Sequence, residues 1–262
     1  MLIVDSHAHI WLKNLPKINN PRHALEYDFS IEQYLKILSD HHIEYAVIAA
    51  ASPFGDYNDY TIESIKHHKK LRGTVILEPT VDPYSLKQMS NDGIVGVRLP
   101  YISMPELPDL SSFEYKKLFK RFAALNWHVH LHIDGPRIPQ VLPYLEQSGV
   151  KIVLDHFGRP DEQEGIHCKG FQMMMKSMEK GNTWVKVSAA YRLGKKNTIT
   201  YGTELLKNFG SDRLLWASDC PFAGFEDKVV FQETIDDIKS WVTDPDDLAK
   251  IYGENALNLY YF

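Results

Sequence analysis

Cysteine is scarce in this 262-residue chain. Cys168 and Cys220 are the only two, too few for a disulfide framework. No stretch approaches the roughly 18 consecutive apolar residues of a membrane span. Met1 runs directly into Leu2-Ile3-Val4-Asp5 with no basic segment before it, unlike a secretory leader. A reducing cytoplasm is the expected compartment, with no membrane partner. The formal net charge of −5 argues against a general polyanion binder such as a nucleic-acid protein. A glycine fingerprint after the first apolar run is missing, as is a P-loop, which removes the common dinucleotide and nucleotide folds. No low-complexity linker divides the chain, so residues 1–262 read as one domain, and a homo-oligomer stays open.

Apolar residues make up 44% of the chain, enough to bury a full core. They fall into eight short β-rich runs: Leu2–His9, Tyr45–Ala51, Gly73–Glu78, Ile94–Leu99, His128–Ile133, Lys151–His156, Trp184–Ser188 and Leu214–Asp219. Helical patterns lie between them. Ser30-Ile31-Glu32-Gln33 and Ser111-Ser112-Phe113-Glu114 have capping-box spacing before helices at 34–40 and 113–126. Asp82-Pro83 opens another, and 137–148, 168–180, 202–209, 227–240 and 246–259 complete the set. Strand and helix in alternation imply parallel pairing with right-handed crossovers. Eight units in this length favour an α/β fold of the closed (β/α)8 TIM-barrel type. The long segment 10–29, with Pro16 and Pro21, is a lid candidate.

In such a barrel the chemistry sits at the carboxyl ends of the strands. The first run ends in His7-Ala8-His9, whose histidines at i and i+2 share a face. The fourth ends near Arg98 and the sixth in Asp155-His156. The fifth alternates His128, His130 and His132, of which only His132 lies near the rim. The eighth ends in Asp219. Each has a bland reading: a strand-end Asp can cap the next helix, and His128 and His130 suit packed, hydrogen-bonded core positions. By strict alternation Asp155 faces away from His156, toward a supporting or helix-facing role. Lys186, Ser188 and Asp5 are candidates to face the interior, with a Lys186–Asp5 pair as one structural option. Four histidines and an aspartate gathered on strands one, five, six and eight exceed what packing requires.

This pattern resembles the amidohydrolase superfamily. The resemblance is carried by Asp5-Ser6-His7-Ala8-His9, Gly96-Val97-Arg98, Leu154-Asp155-His156-Phe157-Gly158-Arg159-Pro160, Trp184-Val185-Lys186-Val187-Ser188, Trp216-Ala217-Ser218-Asp219-Cys220-Pro221 and Tyr252-Gly253-Glu254-Asn255-Ala256. It narrows to the branch that includes 2-pyrone-4,6-dicarboxylate hydrolase and related lactonases. That branch implies a hydrolase in which Asp219 assists water while His7, His9 and His156 polarise a carbonyl. It implies substrate contacts from Arg98, Arg159 and Arg192. The chain also departs from the branch. A second strand-four arginine is missing from Leu99–Met104, His132 stands where a tyrosine is usual, a first-loop tyrosine aligns with His23 (Tyr27 is nearby), and Phe222 replaces a histidine.

Two mechanisms stay open on the sequence. His7, His9, His132 and Asp219 offer a ligand set for one divalent ion, zinc or manganese, which acidifies water and polarises a carbonyl. Without a metal, Asp219 is the general base and the histidines donate to the oxyanion. No lysine ends strand four, which disfavours a carboxylated-lysine binuclear centre. Arginine forks suit carboxylates, so the expected partner is a small carboxylated lactone or related acid. The alternatives are a metal-dependent decarboxylase of an unsaturated or aromatic acid and a non-catalytic metabolite-binding barrel.

Overall fold

The computed structural model describes all 262 residues. Eight strands pair in parallel in strict chain order: β1 (Val4–Ala8), β2 (Tyr45–Ile48), β3 (Leu71–Val75), β4 (Ile94–Leu99), β5 (His128–Leu131), β6 (Lys151–Leu154), β7 (Thr183–Val187) and β8 (Leu214–Trp216). The ring closes above β8. There Asp219 N–H donates to His7 O at 2.9 Å and His9 N–H to Cys220 O at 2.8 Å. With helices alternating between the strands, this is a (β/α)8 barrel.

Local chemistry accounts for most elements. Ser30 and Gln33 form the expected capping box before helix Ile31–Asp40, and Asp82 caps Pro83–Asn91. β3 lies two to three residues earlier than its sequence pattern suggests. Gly73 sits inside the strand rather than at its start. A Cβ there would meet Ile65 Cδ1 at 2.8 Å and Ile94 Cδ1 at 2.9 Å, so glycine lets the outer helix close on the sheet. That helix, Asp59–Lys66, has no side-chain cap and is rich in β-branched residues, and the sequence pattern does not announce it. Asn58 at its start instead spends its amide on Asp56 O, Ile76 O and Ile76 N–H. The 202–209 helix extends back to Lys195, and 137–148 divides into a 3-10 turn, Gly135–Gln140, and a helix, Leu142–Ser148.

Toward the strand starts, the barrel interior is apolar. Val4, Val47, Val95, Val153 and Leu215 pack with Leu259 and Tyr260 of the C-terminal helix Asn255–Tyr260. Above them the interior turns polar. A larger cluster, including Ile48, Phe122, Leu154 and Trp216, fills the space between strands and helices. No helix is long and apolar enough to cross a membrane.

Candidate active site

A polar column rises through the barrel from β5 to the rim. His128, at its base, is fully buried with neither ring nitrogen hydrogen-bonded, so the hydrogen-bonded core reading holds for His130 alone. Gly96 on β4 makes room for the His128 ring, since a Cβ there would lie 2.7 Å from its Nε2. Lys186 Nζ reaches three groups: Asp155 Oδ1 at 3.0 Å, His7 Nδ1 at 2.7 Å and His130 Nδ1 at 2.9 Å. Burial pulls the Lys186 amine down to about 8, against the opposing pull of Asp155.

Lys186 therefore pairs with Asp155, not with Asp5. Asp5 braces the barrel seam instead. Its Oδ1 accepts from His7 N–H at 3.1 Å and Ser218 N–H at 2.9 Å, while Oδ2 accepts from Tyr34 Oη at 2.8 Å and Ser218 Oγ at 2.5 Å. The register shifts along β1 between Asp5 and Ala8, where strict alternation breaks.

Asp155, just past the end of β6 at Leu154, shares the inward face of Val153, and alternation breaks only at the next residue. Asp155 turns inward beneath the site, where Arg98 Nε lies 3.2 Å from its Oδ2. His156 adopts φ +53° and swings into the same space. Its Nδ1 lies 2.8 Å from Ser188 Oγ and its Nε2 3.7 Å from Asp219 Oδ1. Burial lowers its pKa to about 4 despite the nearby Asp219 and Asp155, so the ring is neutral at ordinary pH. Asp155 thus supports the site directly and does not face the helices.

Asp219 is held from one side. Tyr191 Oη donates to its Oδ2 at 2.6 Å, and Arg192 Nε donates to the same oxygen at 3.0 Å. Both donors come from the short helix Ala190–Leu193 after β7. Oδ1 is left facing three imidazoles: His7 Nε2 at 3.7 Å, His9 Nε2 at 3.6 Å and His156 Nε2. Burial opposes ionisation, but the neighbouring His156, His9, Arg192 and His7 outweigh it. The carboxyl stays well below its ordinary range.

Two triads could hold a divalent ion: His7–His9–Asp219 and His7–Asp155–His156. The first fits better. Its His7 Nε2–His9 Nε2 separation is 3.1 Å, and with the Asp219 distances this matches ligand atoms about 3.3 Å apart around a tetrahedral ion at about 2.0 Å. His9 Nδ1 donates to Ala49 O at 2.7 Å, which leaves its Nε2 lone pair free. His7 Nδ1 lies 3.3 Å from Asp155 Oδ1 as well as 2.7 Å from Lys186 Nζ, and with its proton directed to Asp155 the His7 Nε2 lone pair is free to ligate. In the second triad both Asp155 oxygens already face cations, Lys186 and Arg98.

His132 stands outside both triads, which corrects its expected place in the ligand set. Arg98 Nη2 has only hydrogens to offer and lies 3.0 Å from His132 Nδ1. The His132 proton is therefore on Nε2, which is buried without a partner. A ring in this tautomer donates a hydrogen bond and has no lone pair for a metal at that atom.

The pocket above is lined by His9, Arg22, His23, Arg98, His132, His156, Arg192 and Asp219, with Trp11 and Leu25 among its apolar walls. His23 is part of this lining, its pKa lowered to about 4 by burial and neighbouring arginines. Tyr27 is not: its hydroxyl donates to Glu226 at 2.7 Å, tying the first loop to the loop after β8. Arg159 lies outside the lining, with Nε 3.5 Å from Asp134 Oδ1. The sequence pattern passed over Arg22, which sits in an irregular loop with no strand end to mark it. That loop is pinned at its base, where Trp11 and Phe29 exchange two backbone hydrogen bonds at 2.9 Å, and at Ile18, whose N–H donates to Pro53 O at 2.9 Å.

A family model described as amidohydrolase matches residues 4–262. The 2-pyrone-4,6-dicarboxylate hydrolase of Comamonas testosteroni is 25% identical over 98% of this chain and 90% of its own. The 4-sulfomuconolactone hydrolase of Hydrogenophaga intermedia is 24% identical over 85% of this chain and 76% of its own. A crystal structure from Acinetobacter baumannii, a 2-pyrone-4,6-dicarboxylic acid hydrolase candidate with citric acid bound, superposes with a TM-score of 0.94 at 27% identity, covering both chains fully.

Proposed function

Since the chain belongs to the amidohydrolase family and is an enzyme of that superfamily, we propose that it hydrolyses a carboxylate-bearing cyclic ester. The reading rests on one observation: Asp219 Oδ1 points at three imidazoles on the floor of a pocket whose walls carry arginine. The relatives named for lactone substrates add support.

In this mechanism water attacks the ring carbonyl carbon. Asp219 Oδ1 takes the proton as the new C–O bond forms, while Tyr191 and Arg192 keep the carboxylate oriented. The Nε2–H of His132 donates to the oxygen that gains charge, and His156 supplies a second polar contact. The ring C–O bond then breaks, and the proton on Asp219 passes to the leaving oxygen. The products are one new carboxylate and one hydroxyl or enol. A carboxylate kept this acidic is a weak base toward ordinary water. A divalent ion held by His7 Nε2, His9 Nε2 and Asp219 Oδ1 would supply Lewis acidity and ease that proton transfer. Arg98 and Arg192 carry the charge that attracts the substrate carboxylate, and Arg159 adds to it from behind.

Proton release from a panel of carboxylated lactones should fall by about 10²–10⁴-fold in Asp219→Asn, with the melting temperature nearly kept. Unchanged turnover would remove Asp219 from this role. Carbon dioxide release from unsaturated acids, with inert lactones, would establish a decarboxylase instead. Metal content before and after chelation, read alongside the rate, decides whether the His7–His9–Asp219 triad works with an ion.

A further inference from the structure

The arginines around the pocket are unequally employed. Arg98 is engaged by Asp155, Ala50 O at 3.0 Å and His132, which take three of its five N–H groups. Arg192 is bound to Asp219 and to Ala223 O at 2.9 Å. Arg159 has only its long contact with Asp134, and its Nη1 is buried without a partner. Arg22 lines the pocket and makes neither a hydrogen bond nor an ion pair.

Arg22's own loop offers it no counter-ion. Glu26 is paired with Lys17 at 2.9 Å, and Asp28 accepts from Lys13 N–H at 2.7 Å. Glu226, across the loop, is taken by Tyr27. Arg159, Arg192 and Arg98 all act on Arg22 as like charges, Arg159 most strongly, and the carboxylate that opposes them, Asp134, already contacts Arg159. A surface arginine without a partner is ordinary. One that faces other guanidiniums across a pocket, with every nearby carboxylate already committed, marks a place for an anion from outside.

We propose that Arg22 is a specificity-determining residue that receives a second carboxylate of the substrate, with Arg159 behind it, while the first carboxylate lies nearer Arg98 and Arg192. This deepens the hydrolase reading and rests on it for the word substrate. Strand β4 carries only one arginine, so the second anchor comes from the loop after β1. A loop arginine contacts the outer end of a ring, away from the reacting carbonyl. It should therefore act on KM more than on kcat.

The test uses two flat, unreactive rings, isophthalate and benzoate, which differ by one carboxylate. Binding is measured by calorimetry on the full-length protein. Wild type should bind isophthalate at least about 10-fold more tightly than benzoate. Arg22→Ala should erase most of that ratio and leave benzoate binding unchanged, and Arg22→Lys should keep part of it. Arg22 makes no internal hydrogen bond or ion pair, so both variants should fold as wild type. A wild type without the preference, or an Arg22→Ala protein that keeps it, overturns the proposal. Because the readout is binding, failure to hydrolyse any lactone would count against the hydrolase reading and leave this result standing.

Discussion

The two ends of the barrel interior are built on opposite principles. Near the strand starts, five strands contribute valine or leucine, and Tyr260 plugs the floor. Near the strand ends, the same interior holds Lys186, Asp155, Arg98 and three histidines around Asp219. The floor gains stability from apolar burial. The upper half spends stability to hold charges and imidazoles in fixed directions, and this orientation is what a catalytic site requires. One barrel thus separates what keeps it folded from what makes it reactive.

Acid should break the upper half first, and this is the largest effect expected. Burial keeps His7, His128, His130, His132 and His156 well below the usual histidine range. The unfolded chain takes up protons near pH 6.5, while the folded chain holds these rings neutral down to about 4 for His156. Stability is therefore present above pH 6.5 and falls as pH drops toward 4, at up to about 1.4 kcal/mol per pH unit for each ring. Asp155 and Asp219, whose pKa values are depressed, add their loss only below about pH 4. Denaturant midpoints measured from pH 8 to pH 4 should fall steeply below 6.5. A flat profile down to pH 5 would contradict the neutral-histidine picture.

A matched pair of substitutions sharpens the contrast. Asp155→Ala strands Lys186 and Arg98 as buried charges and should cost about 3–5 kcal/mol together with activity. Leu215→Ala on the floor should cost about 2–5 kcal/mol, with the rate per folded molecule kept. Activity lost in both would mean that the two ends are coupled.

The smallest change expected is at His128. Both of its ring nitrogens are buried and unbonded. Replacing a group whose polar atoms are unsatisfied with an apolar one of similar size is neutral or stabilising, so His128→Met should shift stability by about 0 to +1 kcal/mol. A loss above about 2 kcal/mol would show that the imidazole has a partner, such as a buried water.

Much of this was legible in the sequence. Strand and helix alternation gave the barrel, and polar residues after apolar runs marked His7, His9, His156 and Asp219. The misses share a cause. Asp155 and His156 both enter the site because φ +53° at His156 breaks alternation, and the register shift between Asp5 and Ala8 lets His7 turn inward although Asp5 does not, so period-two alternation registers neither. Arg22 lines the pocket and Tyr27 does not, a difference hidden from the sequence because loop residues have no periodicity to fix their direction. Helix Asp59–Lys66 escaped notice because its start carries no capping signal.

By itself, the sequence determined the order of elements and which strands end in reactive residues, because periodicity and strand ends are local properties. Only the tertiary structure decided what each reactive group faces. Asp155 rather than Asp5 meets Lys186, Arg98 fixes the proton on His132, and Arg22 is left without a counter-ion. Each of these depends on distances between residues far apart in the chain, which no local pattern encodes.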